Sequence, residues 1–336
     1  MTSASAPTIE RKTIDRHAEG VFPAMAMLAG MQLDVFTPLK DGPLPASDIA
    51  AAIGVKVDKL TPLLYALVVA ELLTVDAGRF GNTPEADTYL VRGRSSYLRG
   101  EQDFYADIWQ AMLRTAATIR TGVPQHKHDF YGMAEDEMVF FFEGLHRRAV
   151  TAGEELARMC NLSRYKHLLD VGTGSGGLAI GASRACPELA VTAVDLPRVI
   201  PVTRRFLGEA SATDRVTAVA VDLLTEPPAG HYDVAAMRSL IQVLGLDDAL
   251  TILRNVASCL APGGLVLILA TMIENSRLAP ARQVGQNLVF LNVYDNGLIY
   301  TEAEYRTLLA DAGFVDTAVR QAAIAGQALI SARKPA

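Results

Sequence analysis

Near the middle of the 336-residue chain an apolar run at residues 167–171 leads into D-V-G-T-G-S-G, residues 170–176. Gly172, Gly174 and Gly176 permit a tight turn and let backbone N–H groups come close to a ligand. The same letters satisfy G-x-G-x-x-G through Gly172, Gly174 and Gly177, a pattern that can cradle a dinucleotide pyrophosphate. The glycines therefore leave two ligand classes open, and the acids around them must decide.

Asp170 stands two residues ahead of the first glycine, where it suits a cationic ammonium better than a pyrophosphate. Asp195 lies 21 residues beyond Gly174, at the end of a second apolar run. A carboxylate there can accept both hydroxyls of a ribose. Because Leu196 and Pro197 follow it, Asp195 could instead cap a helix. Asp222, in V-D-L-L at 221–224, supplies an acid after a third run, where an adenine amino group would sit; the alternative is a solvated turn residue. Ammonium, ribose and adenine together describe S-adenosylmethionine, and the chemistry expected is methyl transfer. A nicotinamide or flavin enzyme is the rival reading of the glycines.

The elements that must position these groups alternate. Apolar runs at 167–171, 191–194, 216–221, 232–237 and 265–270 are separated by helical patterns. This alternation predicts an α/β fold with a parallel, doubly wound, Rossmann-like sheet. G-F-V-D-T-A-V-R, the short A-I-A-G-Q turn and A-L-I-S-A-R close the chain as an antiparallel hairpin. That hairpin is typical of class I methyltransferases and foreign to ordinary nicotinamide-binding domains. A-P-G-G at 261–264 reads as a turn before the fifth strand.

The N-terminal third is different. Residues 16–36 have helical spacing broken by Pro23, and Ser47 is placed to cap a short helix ending at Gly54. A second helix is expected over residues 58–73, then a hairpin turning at Gly78. Helix, turn, helix and hairpin is a mainly α, winged-helix order. The second helix, K-L-T-P-L-L-Y-A-L-V-V-A-E-L-L, has few groups able to reach phosphates or bases and suits a partner subunit better than nucleic acid. The expected division is 1–105 for dimerisation, 106–160 for linking helices that contribute to a substrate pocket, and 161–336 for cofactor binding and catalysis.

Half the residues are apolar and the net charge is -6, so nothing marks a nucleic-acid partner. Cys160, Cys186 and Cys259 are too scattered for a zinc or redox pair and fit a reducing, cytoplasmic compartment. The opening M-T-S-A-S-A-P-T carries no apolar signal segment, and no apolar run approaches the roughly 20 residues that span a bilayer. Extra apolar surface buried in a dimer would account for the positive mean hydropathy.

In sum order, D-V-G-T-G-S-G, A-V-D-L-P, V-D-L-L, A-P-G-G and T-E-A-E-Y-R-T-L-L-A-D-A-G-F resemble the small-molecule O-methyltransferases of bacteria and plants. These include the hydroxyindole, caffeate and polyketide-tailoring enzymes. The resemblance covers nearly the whole chain, including T-G-V-P and H-D-F-Y at 121–131. It implies a homodimer joined through the N-terminal domain and a small aromatic or polycyclic acceptor, a secondary metabolite. It implies Asp170, Gly172, Gly174 and Gly176 around the methionine part of the cofactor, with Asp195 and Leu196 at the ribose. Asp222 and Leu223 would meet the adenine, and Arg238 would border the methionine end. Trp109, Phe130, Tyr131, Asn287, Phe290 and Leu291 are the implied pocket walls.

One departure matters. The family normally carries an L-H-D-W-like segment after the fourth strand, whose histidine deprotonates the acceptor. Here the segment reads M-R-S-L-I-Q-V-L-G-L-D-D, with Gln242 in the histidine's place. An amide cannot take a proton near neutrality. His146 is the first substitute, while Tyr294 and Tyr300 are candidates to orient an acceptor or relay a proton. An acidic phenol, already ionised, would need only orientation. Methylation of a ring carbon or nitrogen is the alternative, and a non-catalytic, cofactor-binding regulator is the alternative of another class. His126 and His128 form H-K-H, but without a third ligand in view no metal is expected.

Overall fold

The computed structural model describes residues 9–324 and 326–336. The opening residues 1–8 and Ala325 in the final turn lie outside the described residues. Contacts divide the chain into two compact units, Met1–Ala106 and Asp107–Ala336.

The first unit contains α1 (Lys12–Glu19), α2 (Val21–Gln32), β1 (Leu44–Pro45), α3 (Ala46–Ile53), α4 (Val57–Val69), β2 (Leu73–Asp76), β3 (Arg79–Asn82) and α5 (Pro84–Tyr89). Gly78, at φ +76°, turns the β2–β3 hairpin, and β1 joins its other edge in the order β1-β3-β2. Phe36, Ile49, Leu64, Leu67 and Phe80 form the fully buried centre.

Three expectations shift here. The helical break falls at Gly20, not Pro23. Pro23 sits in the first turn of α2, where its missing N–H costs nothing. Ser47 is not the cap of α3: that position belongs to Pro45, and the Ser47 hydroxyl turns to Asp48 at 3.1 Å. Pairing of Leu44 and Pro45 with β3 ends the strand there, so the helix starts two residues earlier than a Ser47 cap would have it. The next helix stops at Val69 instead of running to Leu73. Glu71 adopts φ +61° and Leu72 N–H closes on Leu67 O at 3.0 Å, a left-handed stop that releases Leu73 into the hairpin.

Helix α6 (Glu101–Met112) spans the boundary. The second unit continues with α7 (Thr115–Thr121), α8 (Glu135–Met159), β4 (His167–Val171), α9 (Gly177–Ala185), β5 (Ala190–Asp195), α10 (Ile200–Glu209), β6 (Val216–Ala220) and β7 (Tyr232–Arg238). Then come α11 (Leu246–Cys259), β8 (Leu260–Ala270), α12 (Ala281–Val293), α13 (Glu302–Asp311), β9 (Val315–Ile324) and β10 (Gln327–Arg333).

The sheet order is β6-β5-β4-β7-β8-β10-β9. The first five strands are parallel, and β10 runs antiparallel to β8 and β9. The doubly wound sheet and closing hairpin expected from the alternation are both present. A-P-G-G is a correction: residues 261–264 lie inside β8, where Gly263 at φ +71° sits in a bulge opposite the register shift at Tyr232/Val234. Apolar clusters cover both faces of the sheet, as parallel strands require. Strand order reverses between β4 and β7, so the carboxyl end of β4 opens a crevice at the switch point, where open α/β sheets bind ligands. No described helix is long and apolar enough to cross a membrane.

Candidate functional site

The glycine loop leaves β4 at this switch point. Gly172, Gly174 and Gly176 all have positive φ, at +65°, +55° and +74°. The turn is pinned from both sides. Gly172 and Thr173 N–H groups reach Val194 O at 2.9 and 3.1 Å. Gly174 donates to Asp195 Oδ2 at 2.7 Å, and its carbonyl accepts from Thr203 Oγ1 at 2.6 Å.

Asp170 is buried beneath the turn, its Oδ2 accepting from the Thr173 hydroxyl at 2.5 Å and Ala179 N–H at 3.2 Å. Burial pushes its carboxyl up to about 7, against the pull of those hydrogen bonds and of Arg238. Asp195 closes β5. Its two oxygens hold Gly174 and Leu196 N–H groups, and burial pushes it up to about 6. It does not cap α10, which begins at Ile200 behind Val199. Asp222 makes a local turn, accepting Leu224 N–H at 3.0 Å, and faces the Tyr131 hydroxyl at 3.3 Å. Leu223 beside it is buried in the core. Arg238 ends β7. Burial, then repulsion from Arg148, lowers its guanidinium to about 10, and its buried Nε has no partner.

A second set of side chains starts on the loop itself. A Cβ on Gly174 would lie 2.6 Å from the ring of Phe142 on α8. Phe142 stacks on Phe130 at 5.9 Å and 20° and meets Phe141 edge-on at 5.2 Å. Phe141 meets His128 at 5.1 Å, and His128 meets Tyr294 at 6.0 Å. Tyr294 packs beside Phe290 and over Gly297, whose absent Cβ would lie 3.2 Å from Gln242 O. An unbroken aromatic wall therefore runs from the glycine loop to Gln242.

Gln242 is 3 % exposed and its Oε1 accepts Thr271 N–H at 3.0 Å, tying the turn after β7 to the end of β8. His146 lies elsewhere. Its Nδ1 is 2.8 Å from Ser175 Oγ and its ring stacks on Phe206 at 4.5 Å. Burial lowers its pKa, which Glu209 partly opposes. Among the described interactions none joins His146 to Gln242 or Tyr294. Of the other pocket expectations, Trp109 is half-buried on α6 and Asn287 Oδ1 braces Ile299 N–H at 2.7 Å. Leu291 is exposed. Tyr300 hydroxyl donates to Leu244 O at 2.6 Å, a structural brace.

The H-K-H pair gains a third member. His126 and His128 each place Nε2 2.7 Å from one oxygen of Asp107 on α6. Their main-chain N–H groups donate to Asn292 O and Val293 O at 3.2 and 2.9 Å. Sequence reasoning missed Asp107, Phe141 and Phe142. The F-F-F run at 140–142 was a visible signal for the rings, but nothing local marks Asp107.

Comparison with known proteins follows this geometry closely. Residues 116–315 match the model of the O-methyltransferase domain, and residues 16–92 that of the O-methyltransferase dimerisation domain. The tetracenomycin polyketide synthesis 8-O-methyl transferase TcmO of Streptomyces glaucescens is 31% identical over 92% of this chain and 93% of its own. The 3-hydroxy-5-methyl-1-naphthoate 3-O-methyltransferase of Streptomyces sahachiroi is 29% identical over 88% of this chain and 87% of its own. Human N-acetylserotonin methyltransferase, solved with S-adenosylmethionine, shares the fold at a TM-score of 0.84 with 21% identity, over 99% of this chain and 100% of the other. With the switch-point loop, the closing hairpin and both family domains in one chain, the protein belongs to the O-methyltransferase family and is an S-adenosylmethionine-dependent methyltransferase of the secondary-metabolite type.

Proposed function

We propose that the chain methylates a hydroxyl of a flat, polycyclic aromatic acceptor of polyketide type, bound along the wall Phe142–Phe130–Phe141–His128–Tyr294. The observation that carries this is Phe142, which touches the cofactor loop at Gly174 and stacks into that wall. An aromatic face set beside the donor loop suits a planar ring system. The names of the naphthoate and tetracenomycin relatives support the same acceptor class.

The residues present fit the cofactor. Arg238 has a buried, unpartnered Nε beside Asp170, suited to a carboxylate, while Asp170 suits the neighbouring ammonium. Gly172, Gly174 and Gly176 hold positive φ, a backbone that residues with side chains rarely adopt, and so make the tight turn whose main-chain N–H groups can approach a ligand. Asp195 and Leu196 would meet the ribose, and Asp222 and Leu223 the adenine. When bound, the cofactor supplies an electrophilic methyl group on sulfonium sulfur. The protein's contribution is to hold the acceptor oxygen in line with that methyl and to exclude water. Asn287, Phe290 and Tyr294 would line the far side of the acceptor, with Trp109 and Tyr131 nearer its mouth.

The dimerisation domain supports a homodimer. Ile14, Phe22 and Met25 in the first unit are exposed in the isolated chain, at 62%, 65% and 41%, as a dimer seam would require. Three free cysteines support a reducing, cytoplasmic setting. Calorimetry with S-adenosylhomocysteine and mass spectrometry of hydroxynaphthoates and hydroxytetracenes incubated with enzyme and S-adenosylmethionine test the reading. Binding plus one methyl-for-hydrogen mass gain is expected. No binding at millimolar ligand would overturn it.

A further inference from the structure

Gln242 cannot accept a proton, and His146 is engaged by Ser175 and Phe206. His128 stands in the middle of the aromatic wall, edge-on to Phe141 and Tyr294. Its side chain is 8% exposed, its Nε2 is 2.7 Å from Asp107 Oδ2, and its Nδ1 is buried with no hydrogen-bond partner. A buried ring nitrogen left unpaired costs on the order of 1–3 kcal/mol and calls for an explanation.

The tautomer follows from Asp107. Burial pushes that carboxyl up, but hydrogen bonds from His128 and His126 more than offset this and hold it below its ordinary range. An ionised carboxylate only accepts, so the Nε2 of His128 must carry the proton. In the neutral imidazole Nδ1 is then the unprotonated nitrogen, and none of the described groups hydrogen-bonds to it.

We propose that His128, oriented by Asp107, is the general base that takes the acceptor's hydroxyl proton on Nδ1. The proton passes from oxygen to Nδ1 as the oxygen's electron pair forms the bond to the methyl carbon. The pair of the broken carbon–sulfur bond remains on sulfur, and the imidazolium formed is paired with Asp107. His128 thus does the work that Gln242, the residue at the family's usual position, cannot. This rests on the acceptor lying along the wall as proposed above.

Among the described interactions, the charged and titratable groups placed at His128 or beside it are these. Asp107 faces it from α6, and His126 shares that carboxylate. Tyr294, at the end of α12, is held far above the ordinary phenol range by burial and by Asp107, and stays protonated. Lys127 pairs with Asp295 at 2.6 Å, and Asp129 accepts Tyr131 N–H. Asp107, His126 and His128 also bring one ligand atom each within 4.8 Å of one another, a spacing a divalent cation could bridge. Histidines that bind metal almost always donate their other N–H to a fixed acceptor, and Nδ1 of His128 has none.

The test uses the full-length protein labelled with 15N-histidine, with the His128 signals assigned through His128→Gln. A protonated Nε2 and bare Nδ1 are expected; a protonated Nδ1 would overturn the proposal without any acceptor being needed. Glutamine can still donate to Asp107, so His128→Gln should keep the wild-type melting temperature and S-adenosylhomocysteine affinity. Its kcat on hydroxynaphthoate or hydroxytetracene probes should fall about 10²–10⁴-fold with KM little changed, and lose the wild-type rise with pH. Unchanged kcat would overturn the proposal, as would zinc binding that is tight, stoichiometric and abolished by His126→Ala. Failure of the wild type to bind S-adenosylhomocysteine would instead overturn the proposed function, while the tautomer still decides on the dyad.

Discussion

Gly181 of α9 lies directly against Gly153 of α8: a Cβ on Gly181 would stand 3.1 Å from the Gly153 carbonyl carbon, 2.8 Å from Glu154 N, and well inside van der Waals contact with Val150 O. Two helices can approach this closely only without side chains between them. Helix α9 starts at the glycine loop, and α8 carries Phe141, Phe142 and His146. Gly181→Ala meets backbone, which cannot rotate away. A loss of roughly 3 kcal/mol is expected, or about 10 °C in melting temperature. A variant melting within a degree or two of wild type would show that the helices can part freely.

Asp170 gives a pH dependence. Its folded pKa, about 7, lies above the ordinary 3.8, so the folded state favours the protonated acid. That contribution is fully present below the ordinary carboxylate range and lost as pH rises through 7. Asp195, raised to about 6, acts in the same direction. The ligand-free protein should therefore be less stable at pH 8 than at pH 5.5 on this account, and Asp170→Asn should raise its melting temperature at pH 8. Thermal melts across pH check the sign.

The same group predicts proton release on cofactor binding. An ammonium beside Asp170 favours the carboxylate, so binding near pH 7 expels a proton and the effect fades above pH 8. Calorimetry of S-adenosylhomocysteine in buffers of different ionisation enthalpy measures it. Heats independent of buffer at pH 7 would contradict the assignment of Asp170.

Gln242 and His146 should behave as structural residues. Gln242→Ala leaves the half-buried Thr271 N–H without its protein acceptor, costing about 0.5–1.5 kcal/mol of stability. Its kcat should fall about tenfold, well short of the ~10⁴-fold loss of a true base. His146→Ala opens space over Phe206 and should lower stability more than kcat. A pH-dependent collapse of kcat in His146→Ala would restore it as the base.

Asn292 is buried, donating to Thr115 Oγ1 at 2.8 Å and accepting from Thr118 Oγ1 at 2.7 Å. Asn292→Ala leaves the buried Thr118 hydroxyl without its acceptor, while Thr115 keeps its bond to Met112 O, and loosens α12 from α7. A stability loss of about 1–3 kcal/mol is expected, with acceptor KM raised more than cofactor affinity is weakened. Steady-state kinetics alongside calorimetry separates the two.

The placement of the proposed donor-side residues was legible because it is local: Asp170, three glycines and Asp195 sit at the ends of neighbouring strands, and the spacing of strand and helix fixes where those ends meet. The acceptor half was legible only in part. H-K-H stood out, but its carboxylate lies some 20 residues earlier on another helix, and no periodicity links them. His146 drew attention by its position in sequence, but its stacking on Phe206 and its contact with Ser175 depend on the fold and could not be read there. Ser47 and A-P-G-G misled for one reason: strand pairing, a tertiary effect, decided where those segments began and ended.

The main-chain N–H groups of His126 and His128 hang on main-chain carbonyls at Asn292 and Val293. A bond between backbones is indifferent to the side chains that the same residues carry. Substitutions among the half-buried or exposed positions of residues 286–291 therefore leave the main-chain bonds that hold the two histidines in place. In such an arrangement the side chains of that helix are free to drift while the main chain that carries the two histidines stays where it is.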